Sequence, residues 1–316
     1  MNLRGISALA QTLRLDQNLI SSSKRLEAGL PIAFSLDVAD RCPNDCACYW
    51  RALNRVEEMS DDGAIAFVSD LVSQGLIHGT LIGGEPYVRP TLLPQLTKII
   101  PVTWIVTSGT TPLLVGLPHT THFISVDGAD AQTHDRVRGR AGLFDRVLGN
   151  IRQARMVGSF PAFVHTVLNQ INYQQIEAIL RFWREGGLVD GVIFSTITPI
   201  RGGPSEDILL SDAQRDSVVE DLLHLKSQFG DFLFMSRAMI NYLCPSQTRK
   251  LTPRSCGTAK WVVSFDASGK RRLPCVLSDK ADCSRCGCAI TTIFNNIVKM
   301  PPDLTTFRTV IKAVRL

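Results

Sequence analysis

Cys42, Cys46 and Cys48 fall within seven residues of one another, in the run Arg41-Cys42-Pro43-Asn44-Asp45-Cys46-Ala47-Cys48-Tyr49-Trp50. Thiolates ligate zinc and iron–sulfur clusters, and three so close together converge on one centre only if a loop wraps round it. Thirty-five residues beyond Cys48 comes Gly83-Gly84-Glu85-Pro86, which puts bare backbone and a carboxylate at the end of an apolar stretch. A second thiol group comprises Cys256, Cys275, Cys283, Cys286 and Cys288, with Cys244 upstream, and no cysteine lies between 49 and 243. Clustering of this kind favours metal sites over scattered core thiols. Cys244, set apart from the rest, reads as a small apolar residue.

The elements that must position these residues alternate along the chain. Apolar runs with β character at 32–38, 79–82, 103–107, 121–126, 162–168 and 191–197 predict strands. Helical spacing appears at 61–76, 92–100, 143–157, 173–185 and 211–229. About six β-then-α units joined by short loops imply a parallel sheet with helices outside. A partial (βα)6 barrel, with its site at the C-terminal ends of the strands, fits the pattern, and a flat doubly wound sheet fits it equally well. Residues 1–30 read as a helical N-terminal segment, 31–240 as the core, and 241–316 as a small cysteine-rich domain that needs a metal centre to hold it together. That last segment holds one predicted hairpin: a strand at 261–265, a turn at Ala267-Ser268-Gly269, and a return toward Cys275.

The motifs resemble those of the radical S-adenosylmethionine (SAM) enzymes. The loop with Cys42, Cys46 and Cys48 stands where that family binds a 4Fe–4S cluster through three thiolates. Gly83-Gly84-Glu85-Pro86 is similar to the strand end that receives the methionine ammonium of SAM. Thr107 and Ser108 lie in Val106-Thr107-Ser108-Gly109, where the family often has a Thr-Asn-Gly turn. Ser125-Val126-Asp127-Gly128 and His134-Asp135-Arg136-Val137-Arg138 follow its fourth strand and helix, and His165 to Asn169 its fifth strand. The resemblance covers roughly residues 30–200. It implies that Ser125 and Arg138 hold the SAM carboxylate, a task for which a guanidinium fork is suited, and that Asp127 and His165 line the same site. Taken on its own, His165 in an apolar strand reads as a satisfied core histidine. The implied activity is reductive cleavage of SAM to a 5′-deoxyadenosyl radical that abstracts hydrogen from the substrate or adds to it. One departure stands out: the family spacing is C-x3-C-x2-C, whereas here it is C-x3-C-x-C, with Tyr49 in the expected third place. A zinc knuckle, the other reading of this loop, lacks an evident fourth ligand before His78.

The second thiol group resembles the SPASM/Twitch type of C-terminal extension, which implies a second, auxiliary 4Fe–4S cluster held by four among Cys256, Cys275, Cys283, Cys286 and Cys288. A structural zinc with four cysteine ligands is the alternative. Residues 241–316 carry 13 Lys and Arg against 4 Asp and Glu, a net of +9, while the preceding 240 residues carry 21 against 25. This basic segment reads either as a solvated basic face or as one that balances thiolate charge or meets an acidic electron donor such as a flavodoxin or ferredoxin. No basic-aromatic interleaving points to DNA or RNA. The chain has no apolar run long enough to span a membrane and no signal-peptide pattern, so a cytoplasmic location is expected. A SPASM-like tail points to a peptide substrate. The N-terminal helix leading into an apolar first strand also resembles radical SAM enzymes of lipid and hopanoid assembly, which implies a small-molecule or lipid substrate instead. From another class comes a non-catalytic iron–sulfur or zinc protein that keeps the barrel and has lost SAM cleavage, with the shortened loop as its support.

Overall fold

The computed structural model describes residues 21, 24–44, 46, 56–203, 206–297 and 302–314. Cys48, Tyr49, Trp50 and most of the N-terminal segment lie outside the described residues. Six parallel strands pair in chain order: β1 (Ala33–Ala39), β2 (His78–Gly83), β3 (Val102–Thr107), β4 (Thr120–Ser125), β5 (Ala162–Leu168) and β6 (Gly191–Thr196). This is the mostly parallel α/β arrangement of a partial (βα)6 barrel, and it decides against a flat doubly wound sheet. Strand order without a reversal leaves no switch-point crevice, so the site goes to the strand ends.

Alternation along the strands shows which side is which. In β2, Gly79 and Leu81 are buried against the helix layer, whereas His78, Thr80 and Ile82 are partly exposed toward the interior. In β5 the partly exposed positions are His165 and Val167. Side chains alternate across a strand, so these residues share the cavity side. Helices 61–73, 93–99, 143–157, 176–186 and 212–229 cover the other side. The helix 212–229 starts in a full capping box, in which Ser211 and Gln214 satisfy each other's backbone N–H. Helices at 131–138 and 289–297 were not foreseen from spacing; the first is short and polar, with a weak apolar signal.

The predicted hairpin forms, as β7 (Val262–Phe265) and β8 (Arg271–Arg272) paired antiparallel. Its position is informative. β7 runs parallel to β1 on the side away from β2, so the order becomes β6-β5-β4-β3-β2-β1-β7-β8 and the C-terminal segment extends the barrel sheet. Arg272 of β8 pairs with the buried Asp37 of β1, and it also donates to Val276 O at 3.5 Å. Burial pushes the Asp37 carboxyl up against the pull of Arg272. At the other edge, Thr196 N at the end of β6 donates to Gly287 O at 2.9 Å, and Asp282 N donates to Pro199 O at 2.8 Å. The cysteine-rich segment therefore touches both the β1 and the β6 sides of the open barrel.

Candidate active site

A cavity of about 640 Å³ opens inside the barrel at the strand ends. Cys42 and Cys46 line it, as do Cys256, Cys275, Cys283, Cys286 and Cys288. Two thiol groups far apart in sequence thus face one space.

The first group is placed by backbone. β1 slips register between Asp37 and Ala39, and the chain then passes directly over the end of β2. Gly84 N donates to Ala39 O at 2.8 Å and Glu85 N to Arg41 O at 3.0 Å. A Cβ on Gly83, at φ +129°, would stand 2.4 Å from Ala39 O, and one on Gly84 would stand 2.3 Å from Arg41 O. Both positions need glycine because the cysteine loop lies on top of them.

Glu85 is wholly buried. Its carboxylate accepts from Tyr87 N at 3.0 Å, Thr107 Oγ1 at 2.6 Å, Ser108 N at 2.7 Å and Ser108 Oγ. The expected ammonium ligand is thus engaged inside the chain, where it locks the ends of β2 and β3 together and caps the turn begun by buried Pro86. Glu85 and Pro86 lie beneath the floor, while Gly83, Gly84, Thr107, Ser108, Ser125, Asp127, Arg138 and His165 all line the cavity.

Arg138 is the cation of this end. Its Nε pairs with the buried Asp127 at 2.6 Å, and its Nη1 reaches Cys46 Sγ at 3.9 Å. Asp127 in turn accepts from Val167 N at 2.9 Å. The rest of the His134-to-Arg138 motif builds this arrangement. His134 Nδ1 accepts from Asp127 N at 3.1 Å, and Asp135 accepts from Phe144 N at 2.9 Å, fastening the next helix. Gly139 ends the motif's own helix in the left-handed conformation. His165 Nε2 lies 2.8 Å from Ser195 Oγ, which also accepts from Ala289 N at 3.0 Å. Burial pushes His165 down to about 4, so its ring is neutral at physiological pH.

The second group is placed by contacts across the whole chain. A Cβ on Gly287 would stand 1.9 Å from Thr196 Oγ1, so the Cys-x2-Cys-Gly-Cys run lies flush on the end of β6. Gly287 N donates to Thr198 Oγ1 at 3.0 Å, and the Thr198 and Thr291 hydroxyls each lie 3.7 Å from Cys286 Sγ. Sequence reasoning missed these supports. The glycine between two cysteines was a signal for a close approach, whereas the threonines carried none. Cys244 lies apart from both groups: it packs, partly buried, against the hydrophobic core, as expected of a small apolar residue, and its thiol also donates to Asp216 at 3.1 Å.

The thiols fit a polynuclear thiolate centre. Burial pushes Cys42 up to about 11, with Cys46 adding to the shift. Cys283 and Cys288 also rise to about 11, through burial first and then the neighbouring thiols Cys286 and Cys256. Burial raises Cys275 further still. Thiolates this crowded require a cationic centre to be ionised together. Among the described residues, no three Cys, His, Asp or Glu side chains converge tightly enough for a single ion. A cubane asks less convergence, because each sulfur sits on a different iron.

No family model matches the chain. It is 30% identical over 173 residues to an AdoMet-dependent heme synthase of Methanosarcina barkeri, covering 50% of this chain and 48% of that protein. It is 26% identical over 177 residues to the sporulation killing factor maturation protein SkfB of Bacillus subtilis, covering 52% of this chain and 42% of that one. Each match therefore spans less than half the length of these curated relatives. In fold, it superposes on Streptococcus suis SuiB bound to the precursor peptide SuiA with TM-score 0.61 at 15% identity, covering 83% of this chain and 64% of that one. It superposes on anSMEcpe with bound AdoMet and the Cp18Cys peptide with TM-score 0.57 at 13% identity, covering 79% and 75%. With its cysteine loop, Gly-Gly-Glu-Pro strand end and partial barrel, the chain is thus similar to radical SAM enzymes, in sequence over about half its length and in fold over most of it.

Proposed function

We propose that this chain is a radical SAM enzyme that cleaves S-adenosylmethionine reductively and modifies a peptide. The observation that carries this reading is the shared cavity, which two cysteine groups and the Asp127–Arg138 pair all line. Cys42, Cys46 and Cys48 would hold the SAM-binding 4Fe–4S cluster. Four among Cys256, Cys275, Cys283, Cys286 and Cys288 would hold an auxiliary one. When bound, the first cluster and SAM together supply an adenosyl radical able to take hydrogen from an unreactive carbon.

The chain's own residues set the rest. Gly83 and Gly84 let the cysteine loop cross the end of β2 and present backbone to the cavity, and Arg138 offers a guanidinium for a ligand carboxylate. Ser125, Thr107 and Ser108 supply hydroxyls along the same wall. His165, neutral and tied to Ser195, is a positioning residue there and not an acid. Glu85 keeps the floor rigid. The barrel walls and the C-terminal segment keep water from a reactive centre. The basic C-terminal segment fits an acidic flavodoxin or ferredoxin as electron donor, and that contact would weaken with salt.

The peptide assignment rests on a relative named for the maturation of a sporulation killing factor and on fold neighbours seen with peptides. The heme synthase is the contrary case. The described residues contain no helix long and apolar enough to cross a membrane. The test is direct: anaerobic, reconstituted and reduced protein should convert SAM to 5′-deoxyadenosine, and peptide extracts should stimulate the conversion. Stimulation by a lipid or small-molecule extract alone would move the substrate to that class. Full iron with no cleavage would identify a non-catalytic iron–sulfur protein.

A further inference from the structure

Beside the second cysteine group lies a buried cation with no carboxylate at ion-pair distance among the described residues. Arg215 stands in the first turn of the helix that follows β6 and is 4% exposed. Its Nη1 donates to Arg285 O at 3.2 Å, and its Nη2 donates to Leu243 O at 2.8 Å and to Cys286 O at 3.0 Å. Its buried Nε has no hydrogen-bond partner among the described residues. The nearby acids are taken: Asp212 pairs with Arg249, Glu206 pairs with Arg285, and Asp216 accepts from Cys244. Among the described residues, Arg215 has no carboxylate at ion-pair distance, and Arg285 adds a like charge close by.

A guanidinium keeps its proton in a protein, so this charge cannot be shed as a lysine's could. Burying an unpaired charge is costly, and three carbonyl dipoles offset only part of the cost. The missing anion must come from what these carbonyls frame. Two of the three belong to the Cys283-to-Cys288 run. We propose that Arg215 is the counter-cation of an anionic thiolate–metal centre at the second cysteine group, and that it sets that centre's reduction potential. The inference rests on the iron–sulfur reading of that group. The Thr198 and Thr291 hydroxyls near Cys286 Sγ belong to the same device, since hydrogen bonds to sulfur and nearby charge both tune such centres.

The experiment compares anaerobically prepared full-length wild type, Arg215→Lys and Arg215→Met. Iron, sulfide and zinc are counted. Each centre's midpoint potential is read by spectroscopically monitored redox titration, and metal loss to a chelator is timed. First-cluster content reports that the barrel has folded. The expected result is that Arg215→Lys keeps the second centre and its potential. Arg215→Met should lose that centre to chelator at least tenfold faster, or hold it at a more negative potential, because reduction then adds an electron with no cation to offset it. The first cluster should be unchanged in all three. A second centre in Arg215→Met with wild-type potential and chelator resistance would overturn the proposal. So would equal loss in both variants, which would mean that only the fork's shape matters. Zinc at the second group of the wild type rejects the iron–sulfur reading alone, and the chelator comparison then decides the charge claim. A wild-type second group without metal rejects both.

Discussion

The two cysteine groups face one cavity but are held by different means. Cys42 and Cys46 ride on the chain leaving β1, and backbone holds that chain down: two glycines of β2 let Ala39 and Arg41 pass within hydrogen-bond reach of the next strand end. The second group is held by backbone bonds to the end of β6 and, in addition, by side chains brought from far away in sequence. Arg215 and Thr198 each fasten one of its loops, the Arg272–Asp37 pair ties its hairpin to β1, and Gly287 seats it on β6. A site fixed by adjacent strand ends assembles as the strands pair. A site fixed by contacts spanning much of the chain needs the barrel first, and its own centre to hold the loops together.

The largest expected effect is on metal content. Replacing Cys42 and Cys46 with alanine should remove about half of the bound iron, one cluster of two, as should replacing Cys283, Cys286 and Cys288. Iron analysis with Mössbauer spectra would show which centre is gone. If either set emptied both centres, the two groups would not be independent. The loop spacing has its own test. Cys48→Ser should abolish first-cluster formation and SAM cleavage while Tyr49→Phe does neither; a Cys48→Ser protein that still cleaves SAM normally would mean the third ligand lies elsewhere.

The glycines come next. Gly84→Ala drives a methyl into Arg41 O and Gly287→Ala drives one into Thr196, each overpacking costing about 1–3 kcal/mol. We expect Gly84→Ala to deplete the first centre and spare the second, and Gly287→Ala to do the reverse. Matching losses from both centres in either variant would erase the contrast between backbone and side-chain support.

A smaller effect separates floor from wall. Glu85→Gln weakens a carboxylate that serves four donors and should lower unfolding stability by about 2 kcal/mol, with SAM affinity following only indirectly. Arg138→Met should weaken SAM binding at least tenfold and leave the first cluster's iron in place. Calorimetry with SAM and a denaturant titration on both variants would tell them apart. A Glu85→Gln protein of full stability but lost SAM binding would put that carboxylate back in direct contact with the ligand.

The smallest effect concerns acid. All six histidines precede residue 241. Burial holds His78, His122, His134 and His165 near 4, against an ordinary value of 6.5. A lowered histidine means that the unfolded chain binds more protons between those values. Stability is therefore full above pH 6.5 and falls as pH drops toward 4, by up to about 1.4 kcal/mol per unit for each such group. Hydrogen exchange at pH 7 and pH 5 should show the histidine-bearing strands β2, β4 and β5 loosening before the C-terminal segment. Loosening of that segment first would reverse the order.

Much of the barrel was legible beforehand because its signals are local. Apolar runs of strand length, separated by helical spacing, gave β1 to β6 nearly residue for residue, since each element's burial pattern is written in its own side chains. The loop cysteines, the Gly-Gly pair and the Asp127-to-Arg138 stretch were legible for the same reason. The direction of the Glu85 carboxylate was not, because Thr107 and Ser108 decide it from another strand.

What the sequence determined by itself was the parallel αβ order, the two thiol groups, the hairpin at 262–272 and the family resemblance. Each follows from residue type and spacing over short stretches. What only the tertiary structure decided was that β7 lies alongside β1, that both thiol groups line one cavity, that Arg138 bridges Asp127 and Cys46, and that Arg215 is buried against backbone carbonyls, with no carboxylate at ion-pair distance among the described residues. Those are pairings between residues tens to hundreds of positions apart. No local propensity encodes them, because they arise from how a closed set of strands brings their ends, and the segments packed against them, to one place.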